Sequence, residues 1–163
     1  MNKFILICLI SFVFSSRQVS QKGINLIKQF EGCRLSTYYC SAGVLTIGYG
    51  TTNADKGIIG TTITPGMKIS QATADKWLKL SLNKKYAPKV NKYDKKYHWT
   101  QNEFDALISF AYNIGSIDQL TANGSRSKKQ IAAKIPEYCH AGGKRLQGLV
   151  NRRNKEKALF LSK

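Results

Sequence analysis

Glu31, Cys40 and Thr46 stand in the spacing E-x8-C-x5-T, and each is a residue type that can do chemistry on a glycosidic bond. Hydrolysis of such a bond needs a carboxylic acid that protonates the leaving oxygen. It also needs a second group that activates water or attacks the sugar. Glu31 follows Phe30 at the end of an apolar-faced segment, so its carboxyl is expected to be partly removed from water. Desolvation raises the pKa of a carboxyl and keeps it protonated near neutrality. Cys40 can act as base or nucleophile only as a thiolate, and the excess of Lys and Arg over Asp and Glu, 26 against 9, is expected to favour that form. Taken singly, a glutamate at a helix end is usually a solvated surface charge, and the spaced triplet alone is weak evidence.

The elements that must position these residues follow from periodicity. Residues 21–31 put Ile24, Ile27 and Phe30 on one face, which predicts an amphipathic helix with Glu31 at its end. The Gly- and Thr-rich stretch 36–66 holds short alternating pieces at 44–50 and 58–60 and predicts a small antiparallel sheet. Ser70 caps a helical stretch over 71–90, which Pro88 should end or bend. Thr100-Gln101-Asn102-Glu103 matches a capping box and opens a helix with Phe104, Leu107, Ile108 and Ala111 on one face. Further helices are predicted over 126–134 and 148–161, separated by Ala141-Gly142-Gly143. This order predicts an α+β fold, with a small β-containing lobe joined by a long helix to an all-helical lobe. The cleft between the lobes is the natural seat of an extended substrate.

The spaced triplet has company. Phe30-Glu31-Gly32, Ala42-Gly43-Val44, Thr46-Ile47-Gly48-Tyr49-Gly50-Thr51, the run from Ala106 to Ser116, Ala141-Gly142-Gly143 and Gly148 to Arg153 occur in one order along the chain. Together they resemble the phage-type lysozymes, glycoside hydrolase family 24, from about residue 20 to the C-terminus. The resemblance implies a lysozyme-like fold and cleavage of the β-1,4 bond between N-acetylmuramic acid and N-acetylglucosamine in bacterial peptidoglycan. It implies Glu31 as general acid, Cys40 in the second catalytic position, where the family has Asp or Cys, and Thr46 as the residue that positions water. Tyr112 and Asn113 are implied as cleft residues that contact sugar or steady Glu31, and Arg153 as a residue that helps hold Glu31. Thr51 departs from the pattern: many relatives have His there, and a stabilising contact is expected to be missing. Two other classes share some of these features: a lytic transglycosylase, which needs no second group to activate water, and a cationic wall-binding protein without catalysis.

Export and charge agree with a bacterial target. Lys3 precedes an apolar run from Phe4 to Phe14 that is too short to span a bilayer, which takes about 20 residues. Residues 1–15 therefore read as a signal peptide, with residues 20–163 forming one two-lobed domain. A formal net charge of +17 attracts polyanions, and export favours the anionic bacterial surface over nucleic acid as the natural partner. A monomer is expected. Of the cysteines, Cys8 lies in the leader; Cys33, Cys40 and Cys139 cannot all pair within one chain. A plain Cys33–Cys139 disulfide leaves Cys40 free to work. The alternative is a Cys33–Cys40 bond that caps the catalytic sulfur until another thiol opens it. Cys8 is a candidate for that thiol if the N-terminal segment is retained as a membrane tether. A zinc site from Cys33, His98, Cys139 and His140 fits no familiar spacing, and no metal or cofactor is expected.

Overall fold

A computed structural model describes residues 16–163; the expected signal peptide at 1–15, with Cys8, lies outside the described residues. Helix α1 (Gln21–Lys28) starts at Ser20, whose hydroxyl accepts from the Lys22 amide, and it buries Ile24, Leu26 and Ile27. It ends earlier than the periodicity predicts. Glu31 sits in the following turn, yet its amide still donates to the Ile27 carbonyl at 3.1 Å, so the turn stays tied to the helix.

The chain then forms a three-stranded antiparallel sheet of β1 (Arg34–Tyr39), β2 (Leu45–Gly48) and β3 (Thr51–Thr52) in sequential order. Tyr38 pairs with Thr46 and Tyr39 with Leu45, and the register shifts between Arg34 and Tyr38. Ile58 and Ile59, expected in the sheet, belong instead to a short helix α2 (Lys56–Ile59). The cause is local: Thr52 and Asp55 cap each other's backbone and start a helical turn, which outweighs the strand preference of two isoleucines. Gly60, at φ +72°, ends it in the left-handed region that glycine adopts most easily. Ile47, Ile63 and Trp77 make a small core for this lobe.

Helix α3 (Gln71–Ser81), capped by Ser70, links the lobes. Pro88 neither ends nor breaks the stretch. A π-helical turn over Leu82–Tyr86 leads into α4 (Ala87–Asn91), and Pro88 occupies its first turn, where a missing N–H costs little. The helical lobe follows as α5 (Asp94–Tyr97), α6 (Gln101–Ile114), α7 (Asp118–Thr121) and α8 (Lys128–Lys134). A hairpin of β4 (His140–Ala141) and β5 (Lys144–Arg145) then precedes α9 (Gln147–Leu161). The hairpin turns on Gly142-Gly143, which the sequence shows only as a break.

Helix α6 is the axis of the lobe. Thr100 and Glu103 form the expected capping box, and every residue from Glu103 to Ala111 is buried. Helices α1 and α9 pack on it, so the Glu31 turn and α9 are placed by the same support. The α1–α6 crossing is tight because Gly23 carries no side chain. A Cβ there would lie 2.8 Å from the side chain of Asp105, which is buried and accepts from the Ser20 amide (2.9 Å), the Ser20 hydroxyl and Gln101 (3.0 Å). Gly23→Ala is expected to cost about 1–3 kcal/mol by overpacking. Thermal unfolding should then shift down by roughly 2–4 °C per kcal/mol. An unchanged midpoint would show that the crossing has slack.

Candidate active site

Two elements present the chemistry-bearing residues, the turn after α1 and the β1–β2 hairpin. In the turn, the Glu31 side chain is 26% exposed and its Oε1 lies 2.6 Å from Arg152 Nη1. The carboxyl predicted to be desolvated by Phe30 is thus only partly covered, and a guanidinium holds it. Arg152 also stacks over the Phe30 ring, 5.7 Å from its centroid.

In the hairpin, the Cys40 amide donates to the Val44 carbonyl (3.0 Å) and the Gly43 amide to the Cys40 carbonyl (2.8 Å), which folds the chain back tightly. The turn brings Cys40 next to Thr46, whose hydroxyl donates to the Val44 carbonyl at 2.8 Å and is also within reach of the sulfur. The backbone amides of Val44 and then Ala42 hold the Cys40 thiol below the ordinary thiol range, against the opposing pull of burial. The pull on the thiol comes from these local backbone dipoles. The surface lysines, expected from net charge, do not figure among its causes. Thr46 itself is buried, 4% exposed.

Tyr112 and Asn113 stand at the end of α6. The Tyr112 hydroxyl donates to the Tyr49 carbonyl, a bond that ties the helical lobe to the β-containing lobe, and its ring tilts against Tyr86 at 5.2 Å. Burial, and next the Glu31 carboxylate, push the Tyr112 phenol well up, so it stays a neutral donor. Asn113 is exposed, and its Oδ1 accepts from Arg153 Nη2 at 2.9 Å. Thr51, the departure from the pattern, is buried and lines a small polar cavity with Asp55, Ser81 and Lys85.

The structure corrects one assignment. Arg153 does not hold Glu31 and cannot touch a substrate: it is 0% exposed, stacks over Phe110 and meets Asn113 and Glu156. Arg152 holds Glu31. Successive helical residues point about 100° apart, so only one of the two arginines can face the turn. The sequence signal that separates them is the phase of α9, set by the buried Leu159 and Phe160 and by Glu156 lying four and three residues beyond the arginines.

Cys33, Cys40 and Cys139 are all unpaired, so neither the Cys33–Cys139 nor the Cys33–Cys40 bond is formed in this structure. Cys139 is buried beside Arg153 with its sulfur 3.6 Å from His140 Nδ1, whereas Cys33 lies half-buried ahead of β1 and Cys40 sits in the hairpin turn. Among the described residues, no group of three or more His, Cys, Asp or Glu side chains gathers as a metal site would require.

A family model described as phage lysozyme matches residues 28–156. The endolysin of Lactococcus phage c2 is 44% identical over 145 residues, covering 88% of this chain and 60% of that protein. The chain therefore spans about 60% of that relative's length. The SAR-endolysin of Haemophilus phage HP1 is 33% identical over 162 residues, covering 88% of this chain and 81% of that protein. The muramidase domain of SpmX from Asticaccaulis excentricus superposes with a TM-score of 0.69 at 31% identity, over 90% of this chain and 100% of that chain.

The hairpin amides make a direct prediction. A thiol pKa held below its ordinary value gives thiolate at lower pH, so Cys40 alkylation by iodoacetamide should reach half its maximal rate at a lower pH than for N-acetylcysteine. Unfolding in urea should abolish the difference. Peptide mapping by mass spectrometry reads Cys40 apart from Cys33 and Cys139, and equal midpoints in folded and unfolded protein would refute the assignment.

Proposed function

The chain belongs to the phage lysozyme family, and on that premise we propose that it is a muramidase of bacterial peptidoglycan, cutting the bond between N-acetylmuramic acid and N-acetylglucosamine. The observation that carries the reading is a partly exposed Glu31 fixed by a buried arginine, in a domain whose sheet presents a thiol of lowered pKa beside a hydroxyl.

In this reading Glu31, in its protonated form, gives its proton to the glycosidic oxygen as the bond to the anomeric carbon breaks. A water adds to that carbon, and its proton passes to the Cys40 thiolate. Thr46 orients the pair of sulfur and water. The neutral Tyr112 hydroxyl anchors the helical lobe to the β-containing lobe, and the free amide hydrogens of Asn113 face the sugar. Arg152 keeps the Glu31 carboxyl in one orientation between turnovers. The excess of basic residues draws the enzyme to the anionic bacterial surface. Export through the apolar N-terminal segment, as a cleaved signal or a releasable tether, is part of the proposal. Its supports are the run from Phe4 to Phe14 and the similarity to a SAR-endolysin.

Mass spectrometry of purified peptidoglycan after digestion tests the reading. The wild type should release muropeptides with ordinary reducing ends, and Glu31→Gln should do so roughly 10²–10⁴-fold more slowly. Anhydro ends would turn the assignment to a lytic transglycosylase. Intact wall with both proteins would leave a cationic wall-binding protein.

A further inference from the structure

Glu156 is an ionisable side chain with no exposure at all, in a stretch of α9 that is otherwise polar. Its Oε1 accepts from Ser109 Oγ (2.7 Å), Arg152 Nε (3.1 Å) and Arg153 Nη2 (3.1 Å), and its Oε2 lies 2.8 Å from Arg153 Nε. Each arginine then reaches outward. Arg152 offers Nη1 to Glu31 (2.6 Å) and Nη2 to the Ser109 carbonyl (3.1 Å), and Arg153 offers Nη2 to Asn113 (2.9 Å). The result is a chain of alternating charge, Glu31–Arg152–Glu156–Arg153, ending on Asn113.

We propose that Glu156 is a positioning residue for the proton donor, fixing Arg152 and Arg153 so that one guanidinium orients Glu31 and the other orients Asn113. The inference rests on the muramidase reading and deepens it.

Two physical points support it. Two guanidiniums side by side repel, and the carboxylate between them, held by its Ser109 hydrogen bond, bonds both and offsets that repulsion. A buried ion cluster is also weak evidence for stability as such, because apolar side chains of the same volume often do as well. What apolar residues could not supply is the division of Arg152 between two carboxylates. With Glu156 charged, Arg152 neutralises Glu31 only in part; with that charge removed, Glu31 meets the undivided field of two cations. The groups facing Glu156 are Ser109 from α6 and Arg152 and Arg153 from α9, with Cys139 beside Arg153 and Glu31 beyond Arg152.

The test is steady-state kinetics across pH on purified peptidoglycan for the wild type, Glu156→Gln and Glu156→Asp. Glu156→Gln should lower kcat by about tenfold or more, with KM within about twofold, the pattern of a lost transition-state interaction. The alkaline limb of its pH–rate profile should move to lower pH, because added positive charge nearby favours the ionised form of an acid. Glu156→Asp, which restores the charge, should return the limb toward the wild-type position. A Glu156→Gln enzyme with wild-type kcat and profile and only a lower melting temperature would overturn the proposal. If Glu156→Gln does not fold, Ser109→Ala carries the test: it removes the hydroxyl and keeps the charge, kcat should drop several-fold at constant KM, and an unchanged kcat overturns the proposal. An inactive wild type would sink the muramidase reading itself, and this one with it. Wild-type activity with an unshifted Glu156→Gln profile sinks the positioning role alone.

Discussion

Three charged side chains buried on one face of α9 constrain how the helical lobe is assembled. Arg152, Arg153 and Glu156 are each nearly or fully enclosed, and removing one partner from such a set leaves an uncompensated buried charge, at a typical cost of about 3–5 kcal/mol. That penalty fixes the rotation and the axial position of α9 against α6, where Ser109 supplies the matching hydroxyl and carbonyl. A helix placed by apolar packing alone can slip or roll by fractions of a turn with small loss. A helix placed by directional hydrogen bonds to two guanidiniums cannot. The orientation of Glu31 inherits this rigidity, because its one ion-pair partner is part of the set.

The second lobe is tied on by a different kind of contact. Helix α3 and the π turn after it carry the chain across, and the Tyr112 hydroxyl bonds the Tyr49 carbonyl just past β2. Tyr49 in turn donates to Asp75 at 3.1 Å, so the β2–β3 turn, at the end of β2 away from Cys40, is coupled to α3 as well as to α6. Tyr49 also packs into the apolar core of the helical lobe, so polar bonds and apolar contact together hold the seam, while Ile47, Ile63 and Trp77 form a separate small core.

The order of elements was legible because the signals were local and strong. The capping box at Thr100 and Glu103, the apolar face of α1 and the glycines of the hairpin each state their structure within a few residues. Glu31, Cys40 and Thr46 were legible as a set through their spacing, and the structure does place Cys40 beside Thr46. What the sequence hid was long-range or a matter of helix phase. The Ile58-Ile59 pair looks like strand until the Thr52–Asp55 cap is weighed against it. Arg152 and Arg153 are chemically identical neighbours, and only the buried face of α9 tells which one meets Glu31. Glu156 could not be read as buried at all, because an isolated Glu amid Lys and Asn reads as solvated surface; its burial depends on Ser109, which is 47 residues away in the chain.

The hairpin also explains how a thiol can stand where the family has either Asp or Cys. An aspartate there would be ionised at neutral pH with no help, whereas a thiol is mostly protonated unless something stabilises the anion. Diffuse positive charge is a poor source of that help, because at physiological salt its field is screened over about 8 Å. Backbone amides pointed at the sulfur are not screened in that way, and the tight turn from Cys40 to Val44 supplies them at no cost in side chains. The lowered thiol pKa of Cys40 is thus a property of the turn, set by Gly43 at φ +72° and the Cys40–Val44 pairing. A substitution that opens the turn should impair a thiol more than it would a carboxylate in the same position.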